Sequence, residues 1–547
     1  MDDGVLSAPP APSGDSGYAG RIKAGRVVST AGSQLVILLD RNITVSDAVK
    51  MGSLVTVHTS EATVYGTIEG LSTPMPLQLV DGRELKLAQL GLLGEVQHGV
   101  DGAPGFFRRG VAQLPSLDSE VYLANEDDTA AVYALNNRPA ISIGAVFQDK
   151  RVPARVSVDD LLGKHFAMLG TTGTGKSCAL TLILKRILEQ NPGAHILLLD
   201  PHSEYGHAFG DRAEQLTANT IRLPYWLCTF EELTEIIFGH DRHDSAVEII
   251  LLRELVRAAK LKFAGNPRDA GWISVDTPVP YSLNDIIQQI EREVGGLESR
   301  SSTPHYLRIK SKINSLQTDR RYGFMFDTGL NMRDDFAALL GRLFRVPANG
   351  KPLAILELGS IPSEVLNVVV ALVCRIAFDF AVCAGHTTPL LLVCEEAHRY
   401  APQDVALGFE PAKRALSRIS KEGRKYGISL GVISQRPSEL ASTILSQCNT
   451  VFAFRMSNER DQEIIQASIA EASSAIFSVL PFLGNSEAIA IGEGVSVPMR
   501  LRFDALPADE QPLSNSARFS ESWRTAKTPD ATELERVVAA LRGLTPQ

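Results

Sequence analysis

The sequence predicts an α/β chain in which a parallel sheet, covered by helices on both faces, follows a small β-barrel and is interrupted by a helical insertion. Three observations carry that prediction. From Lys164 onward, continuous apolar runs alternate with stretches of helical spacing, the pattern of parallel strands buried on both faces. Ahead of them, short β-prone runs are punctuated by Gly and Asp, the texture of a small closed sheet. Between about Phe230 and Leu343 the strand signal vanishes and only helical patterns remain. The predicted layout is a disordered N-terminus (1–20), a barrel domain (21–145), an α/β domain (146–503) with its insertion at about 230–345, and a C-terminal tail with a docking helix (504–547).

At 547 residues the chain exceeds what one hydrophobic core holds. With 44% apolar and 21% charged residues it has the composition of a soluble globular protein. A net charge of −9 means that a polyanion would have to meet a local basic lining, because the surface as a whole repels it. The six cysteines (Cys178, Cys228, Cys374, Cys383, Cys394, Cys448) form no C-x-x-C pair and several lie in apolar runs, so they read as reduced, buried thiols. The opening Met-Asp-Asp lacks a basic-then-apolar leader. The most apolar run, Val365–Cys383, contains Asn367, Arg375 and Asp379 and reads as a buried amphipathic helix, not a membrane span. The expected location is cytoplasmic.

In the barrel region the expected strands include Arg26–Ser29, Gln34–Leu39, Leu54–His58, Thr63–Ile68 and Glu120–Leu123. In the α/β region Phe166–Leu169 leads into a glycine-rich loop and a helix over Ser177–Glu189. His195–Leu199 is a second strand, ending at Asp200. Leu353–Leu358 is a third, followed by a helix opening near Pro362, where a first-turn proline is tolerated. Leu390–Cys394, Ile428–Ile433 and Val451–Phe454 follow, and Glu487–Ile491 with Pro498–Phe503 form a terminal pair. The insertion carries helical patterns over Ala246–Lys262, Ser282–Val294 and Leu307–Ser315. The tail ends in an amphipathic helix, roughly Asp530–Arg542, started by Pro529 and Asp530 and stopped by Gly543; having no core of its own, it should dock on another surface.

Residues 170–177 read Gly170-Thr171-Thr172-Gly173-Thr174-Gly175-Lys176-Ser177, the complete phosphate-cradling P-loop, placed between a strand and a helix as that motif requires. Its glycines let backbone N–H groups converge on a β-phosphate, and the helix N-terminus adds its positive dipole end. Lys176 brings a point charge to the β and γ phosphates, and the Ser177 hydroxyl is placed for Mg²⁺. The expected ligands are thus ATP and Mg²⁺.

Glu395 and Glu396 close the buried Leu390–Cys394 strand. A first carboxylate in this position orients magnesium-bound water, with Glu395 beside Ser177 as the metal residue, and a second polarises the attacking water, which is the role given to Glu396. At least two strands intervene between the loop and this pair, which fits the additional-strand class of NTPases. Ile428–Ile433, ending in Ser434-Gln435, is then the strand between them in space, with Gln435 sensing the γ-phosphate. Asp200 and Glu204, in D-P-H-S-E directly after the second strand, either assist water or magnesium or are loop carboxylates capping a helix. His202, His207 and His398 match no zinc spacing. The basic run Lys413–Lys425 is a solvated helical face or the source of an arginine finger toward a neighbour; Arg424 is the first choice, with Arg418 and Arg436 in reserve. Phe106-Phe107-Arg108-Arg109, Arg308–Lys312 and Arg320-Arg321-Tyr322 are basic–aromatic candidates for nucleic acid that read equally as ordinary surface.

Taken in order, L-G-T-T-G-T-G-K-S, L-L-L-D-P-H-S-E-Y, I-P-S-E-V-L-N-V-V-V, V-C-E-E-A-H-R-Y, I-S-K-E-G-R-K-Y-G, I-S-Q-R-P-S-E-L, L-S-Q-C-N-T and L-G-N-S-E-A-I-A-I-G resemble the HerA family of DNA-translocating ATPases, within the HerA–FtsK group, over roughly Leu161–Phe503. The resemblance implies a RecA-like core behind a HAS-type barrel and a homo-hexameric ring that hydrolyses ATP at subunit interfaces and moves duplex DNA through its channel. It implies a partner, either a NurA-type nuclease or an antiviral effector such as a sirtuin-like NADase or a nuclease. It carries Lys176 and Ser177 over as nucleotide ligands, Glu396 as catalytic carboxylate, Gln435 as sensor and Arg424 as the finger acting across the interface, with Lys164 at a position expected to be a basic interface residue. Glu395 stands where the family usually has Asp, and Ser203 where it usually has Gly. A competing expectation is a ring scaffold, switched by ATP, that assembles an effector and translocates only secondarily.

Overall fold

The computed structural model describes residues 21–32, 34–40, 49–74, 79–80, 83–98, 104–135, 138–239, 244–264, 271–296, 302–327, 334–404, 408–468, 474–513, 519–525 and 531–541. The expected disorder of residues 1–20, and the cap residues Pro529, Asp530 and Gly543, lie outside them.

Six strands close the N-terminal barrel: Gln34–Leu39, Lys23–Ala31, Glu120–Leu123, Leu54–His58, Ala62–Ser72 and Leu87–His98, the last pairing back onto Gln34–Leu39. Alternation sends Val27, Leu35, Ile37, Val55, Val57, Val64, Leu90 and Val121 into a barrel core of their own. Closure leaves few edges to protect, and the one added strand, Pro104–Arg109, pairs outside the ring with Leu87–His98.

The second sheet has eleven strands among the described residues. In spatial order they are Pro153–Ser157, Ala140–Val146, Met499–Phe503, Glu487–Gly492, Thr450–Phe454, Phe166–Leu169, Ile428–Ser434, Leu390–Cys394, Ile196–Asp200, Leu353–Glu357 and Ala213–Leu216. The last seven are parallel and the first four pair antiparallel at one side. The Ile428–Ser434 strand therefore lies between the P-loop strand and the Leu390–Cys394 strand, as the additional-strand reading expects. Ala140–Val146, nearly all of it inside the expected barrel bounds of 21–145, belongs to this sheet: it is hydrogen-bonded to Met499–Phe503.

Side-chain alternation explains why the parallel strands are apolar throughout. Phe166 and Met168 enter one core with the helix Lys176–Gln190, while Ala167 and Leu169 enter the other with Ser363–Ala384 and the insertion. The apolar helix Ser363–Ala384 is long enough to cross a membrane, yet two-thirds of its apolar window is buried against the protein. The insertion is helical: Phe230–Phe238, Ala246–Ala264, Leu283–Gly295, Thr303–Thr318, Gly323–Phe326 and Phe336–Phe344. In the tail, the helix Ala531–Leu541 leaves Leu534, Val537 and Val538 exposed, so the expected docking is not made within the described chain. The six cysteines are free thiols, all but Cys178 and Cys383 buried.

Candidate active site

At the carboxyl edge of the parallel strands, Phe166–Leu169 hands over to the helix Lys176–Gln190. Gly175 caps that helix at φ +101°, a conformation that an L side chain would strain. At Gly170 the demand is close approach, since a Cβ there would stand 2.6 Å from Phe454 Cβ. Across the turn, the Thr174 hydroxyl donates to the Thr171 carbonyl at 2.8 Å. Thr171 is itself anchored: its N–H and hydroxyl both donate to the Arg455 carbonyl at 3.1 Å.

Lys176 is buried, and its ammonium donates to the carbonyls of Gly170 (2.7 Å) and Thr171 (2.9 Å). Burial pulls its pKa down to about 8, opposed by Glu396, Glu395 and Glu204. A buried cation folded back on its own loop lacks a matched anion, and a phosphate fits that need.

Glu395 is 4% exposed. Its Oε1 accepts the Tyr205 hydroxyl at 2.8 Å and lies 3.5 Å from Ser177 Oγ, while its buried Oε2 has no hydrogen-bond partner. Burial pushes its pKa up to about 8; the Tyr205 hydrogen bond pulls the other way, and Asp200, Glu204 and Glu396 add to the rise. A carboxyl beside a first-turn hydroxyl, with one buried oxygen unused, suits a divalent cation completed by substrate phosphates. The described residues hold no cluster of three His, Cys, Asp or Glu side chains that would cage a metal alone.

Glu396 follows at φ +50°, in the left-handed region that non-glycine residues enter rarely. Its Oε1 accepts from Gln435 Nε2, and Gln435 Oε1 accepts the Thr172 hydroxyl. A chain of side chains thus runs from the P-loop through the end of the middle strand to the second carboxylate. His398 Nδ1 lies 3.3 Å from Glu396 Oε2, inside ion-pair range but without hydrogen-bond geometry, so that buried oxygen keeps no hydrogen-bond partner. The same nitrogen faces Ser434 Oγ at 3.1 Å, and burial lowers the His398 pKa.

Fully buried, Asp200 accepts backbone N–H groups of His202 and Tyr205, both at 3.1 Å, so it shapes the loop that delivers Tyr205. Glu204 is half-buried, with its pKa raised by burial and a hydrogen bond from Ser177 opposing that rise. Tyr205 was missed in the sequence; its only signal was its place at the end of D-P-H-S-E-Y.

The basic segment forms the helix Glu410–Glu422 and a short 3₁₀ turn, Gly423–Tyr426. Arg418 is engaged within the chain, its guanidinium 4.1 Å above the Phe378 ring and 3.7 Å from Asp379. Arg436 pairs with Glu439 at 2.7 Å. Arg424 is exposed and at the amino end of Ile428–Ser434, whose seven residues put it on the order of 20 Å from its own P-loop edge. Lys164 pairs with Glu493 inside the chain.

The basic–aromatic candidates are largely engaged internally. Arg109 donates to the carbonyls of Gly492, Val495 and Ser496, and Phe107 packs edge-on against Tyr65. Arg308 meets Glu248 at 3.2 Å, Lys310 meets Glu291 at 2.6 Å, Arg321 meets Asp319 at 2.7 Å, and Tyr322 is buried.

Residues 141–377 match the family model described as helicase HerA, central domain. The DNA double-strand break repair helicase HerA of Pyrococcus furiosus is 25% identical over 429 residues, which cover 71% of this chain and 74% of that protein. The protein of the same name from Sulfurisphaera tokodaii is 24% identical over 524 residues, covering 92% and 97% respectively. Among solved structures, VirB4 of Thermoanaerobacter pseudethanolicus aligns with 69% of this chain and 100% of its own at 17% identity, with a TM-score of 0.49.

Proposed function

We propose, from the premise that residues 141–377 make this chain a member of the HerA family of P-loop ATPases, that it is an ATP-driven motor acting on duplex DNA. The chain is an ATPase. The observation that supports the motor reading most directly is the line Thr172–Gln435–Glu396, which joins the phosphate loop to a buried carboxylate whose second oxygen accepts no hydrogen bond.

In this reading the backbone of Gly170–Ser177 binds the triphosphate, and Lys176 exchanges its two loop carbonyls for phosphate oxygens. Ser177 and Glu395 would hold Mg²⁺, which when bound offsets charge on the β and γ phosphates. Glu396 accepts the proton of the attacking water, and Gln435 orients that water while reporting on the γ position. Arg424, in the turn ahead of Ile428–Ser434, stands too far from its own P-loop to serve that site and instead reaches a neighbour's. In this reading the nucleotide lies at the seam of a homo-hexameric ring with duplex DNA in the channel. The ring works in the cytoplasm beside a NurA-type nuclease or an antiviral effector such as a sirtuin-like NADase.

Steady-state ATP turnover with and without duplex DNA tests the reading. Turnover should rise with DNA, and the rise should shrink as salt screens phosphate contacts. Turnover indifferent to duplex DNA at low and moderate salt would refute the DNA motor and leave an ATP-switched scaffold.

A further inference from the structure

The loop Leu480–Ser486 has no part in the chemistry described above, yet it is built onto the P-loop. The Ser486 N–H donates to the Thr174 carbonyl at 2.9 Å. A Cβ on Gly175 would come within 3.2 Å of Ser486 N and Oγ, so the loop lies against the first turn of the P-loop helix. Ser486 itself takes φ +59°, where a non-glycine residue is uncommon. Arg455, whose carbonyl anchors Thr171, donates from its guanidinium to Asn485 Oδ1 (3.1 Å) and the Leu483 carbonyl (3.4 Å). Two elements that flank the P-loop are therefore clamped to each other and to it.

The middle of this clamped loop carries Phe482, 82% exposed, on the short 3₁₀ turn Leu480–Phe482. Its neighbours Leu480 and Leu483 are buried and hold the turn in place. An aromatic ring fixed by a braced loop and left bare offers a stacking face at little entropic cost.

Strand order says which end of a nucleotide would meet it. Glu395, Glu396 and Gln435 all lie on the side of the P-loop strand taken by Ile428–Ser434 and Leu390–Cys394. The other side is taken by Thr450–Phe454 and Glu487–Gly492, and Leu480–Ser486 leads into the second of these. With the γ-phosphate drawn toward the carboxylates, the nucleoside must leave the P-loop toward the opposite side.

Resting on the proposed ATPase site, we propose that Leu480–Ser486 is the nucleoside wall of that site and that Phe482 is the platform on which the base stacks. Stacking on one ring is indifferent to base identity in the main, so the loop takes nucleoside triphosphates as a class and favours the larger purines.

The test measures binding of MgATP and of magnesium tripolyphosphate, which has no nucleoside, to the full chain carrying Glu396→Gln. Adding Phe482→Ala should weaken MgATP about tenfold and leave tripolyphosphate unchanged. Phe482→Trp should restore MgATP affinity, with indole fluorescence quenched on binding. Equal MgATP affinity with and without Phe482→Ala, or a parallel loss for both ligands, overturns the stacking role while leaving the ATPase reading intact. If neither the parent nor the Glu396→Gln chain binds either ligand, the ATPase reading falls and the platform with it.

Discussion

At Lys176 two carbonyls of its own loop hold the ammonium, whereas Glu396 keeps a buried oxygen with no hydrogen bond. Lys176→Ala should therefore abolish nucleotide binding. Glu396→Gln should bind ATP as the parent does and turn it over about 10²–10⁴-fold more slowly, which binding and single-turnover measurements separate. Loss of binding in Glu396→Gln, or undiminished turnover, would remove Glu396 from the role of base. Glu395 depends on Tyr205, whose hydroxyl holds one of its oxygens. Tyr205→Phe keeps the ring and deletes that support, so the Mg²⁺ concentration for half-maximal turnover should rise about tenfold. An unchanged magnesium requirement would show that Glu395 orients itself. The pair Tyr205–Glu395 also shows where sequence reading stops. Gly170–Ser177 is contiguous and announces itself, but a contact across 190 positions leaves no local trace.

Among the elements, the parallel strands were legible because burial on both faces makes them continuous apolar runs. Ala213–Leu216 was not, since this strand at the sheet's edge carries Glu214 and Gln215 at partly open positions and offers only four residues. Barrel closure was equally invisible, as pairing of Gln34–Leu39 with Leu87–His98 is a long-range register. His165 joins three elements at φ +59°: its Nδ1 accepts the Leu430 N–H at 2.9 Å, and the Ser420 carbonyl faces the ring. Burial lowers its pKa to about 4. Below pH 6.5 the unfolded chain takes up a proton that folded His165 refuses until about pH 4. Stability should accordingly fall as pH drops through that window, by on the order of 2 kcal/mol at pH 5 from this group alone. His165→Gln should lessen the drop in melting temperature between pH 7 and pH 5; an identical drop in parent and variant would contradict the assignment.

For the whole molecule, a site shared between protomers has a distinctive signature. Arg424→Ala alone should cut turnover about 10³-fold with hexamers retained. Mixed with Glu396→Gln subunits, it should regain part of that activity, because some seams then pair an intact carboxylate with an intact arginine. Failure to regain activity at any mixing ratio would confine Arg424 to its own subunit or to no catalytic task. The two reserve arginines are engaged within their own chain, Arg418 with Phe378 and Asp379 and Arg436 with Glu439.

The strand Glu487–Gly492 has its two ends fastened to different machines. Ahead of it Ser486 is bonded to Thr174 of the P-loop, and behind it Gly492, Val495 and Ser496 receive the Arg109 guanidinium from the barrel. Six extended residues, roughly 20 Å long and hydrogen-bonded to a strand on each side, separate the two attachments. The phosphate loop and the barrel are thus moored to opposite ends of one strand, with no flexible linker between the two attachments.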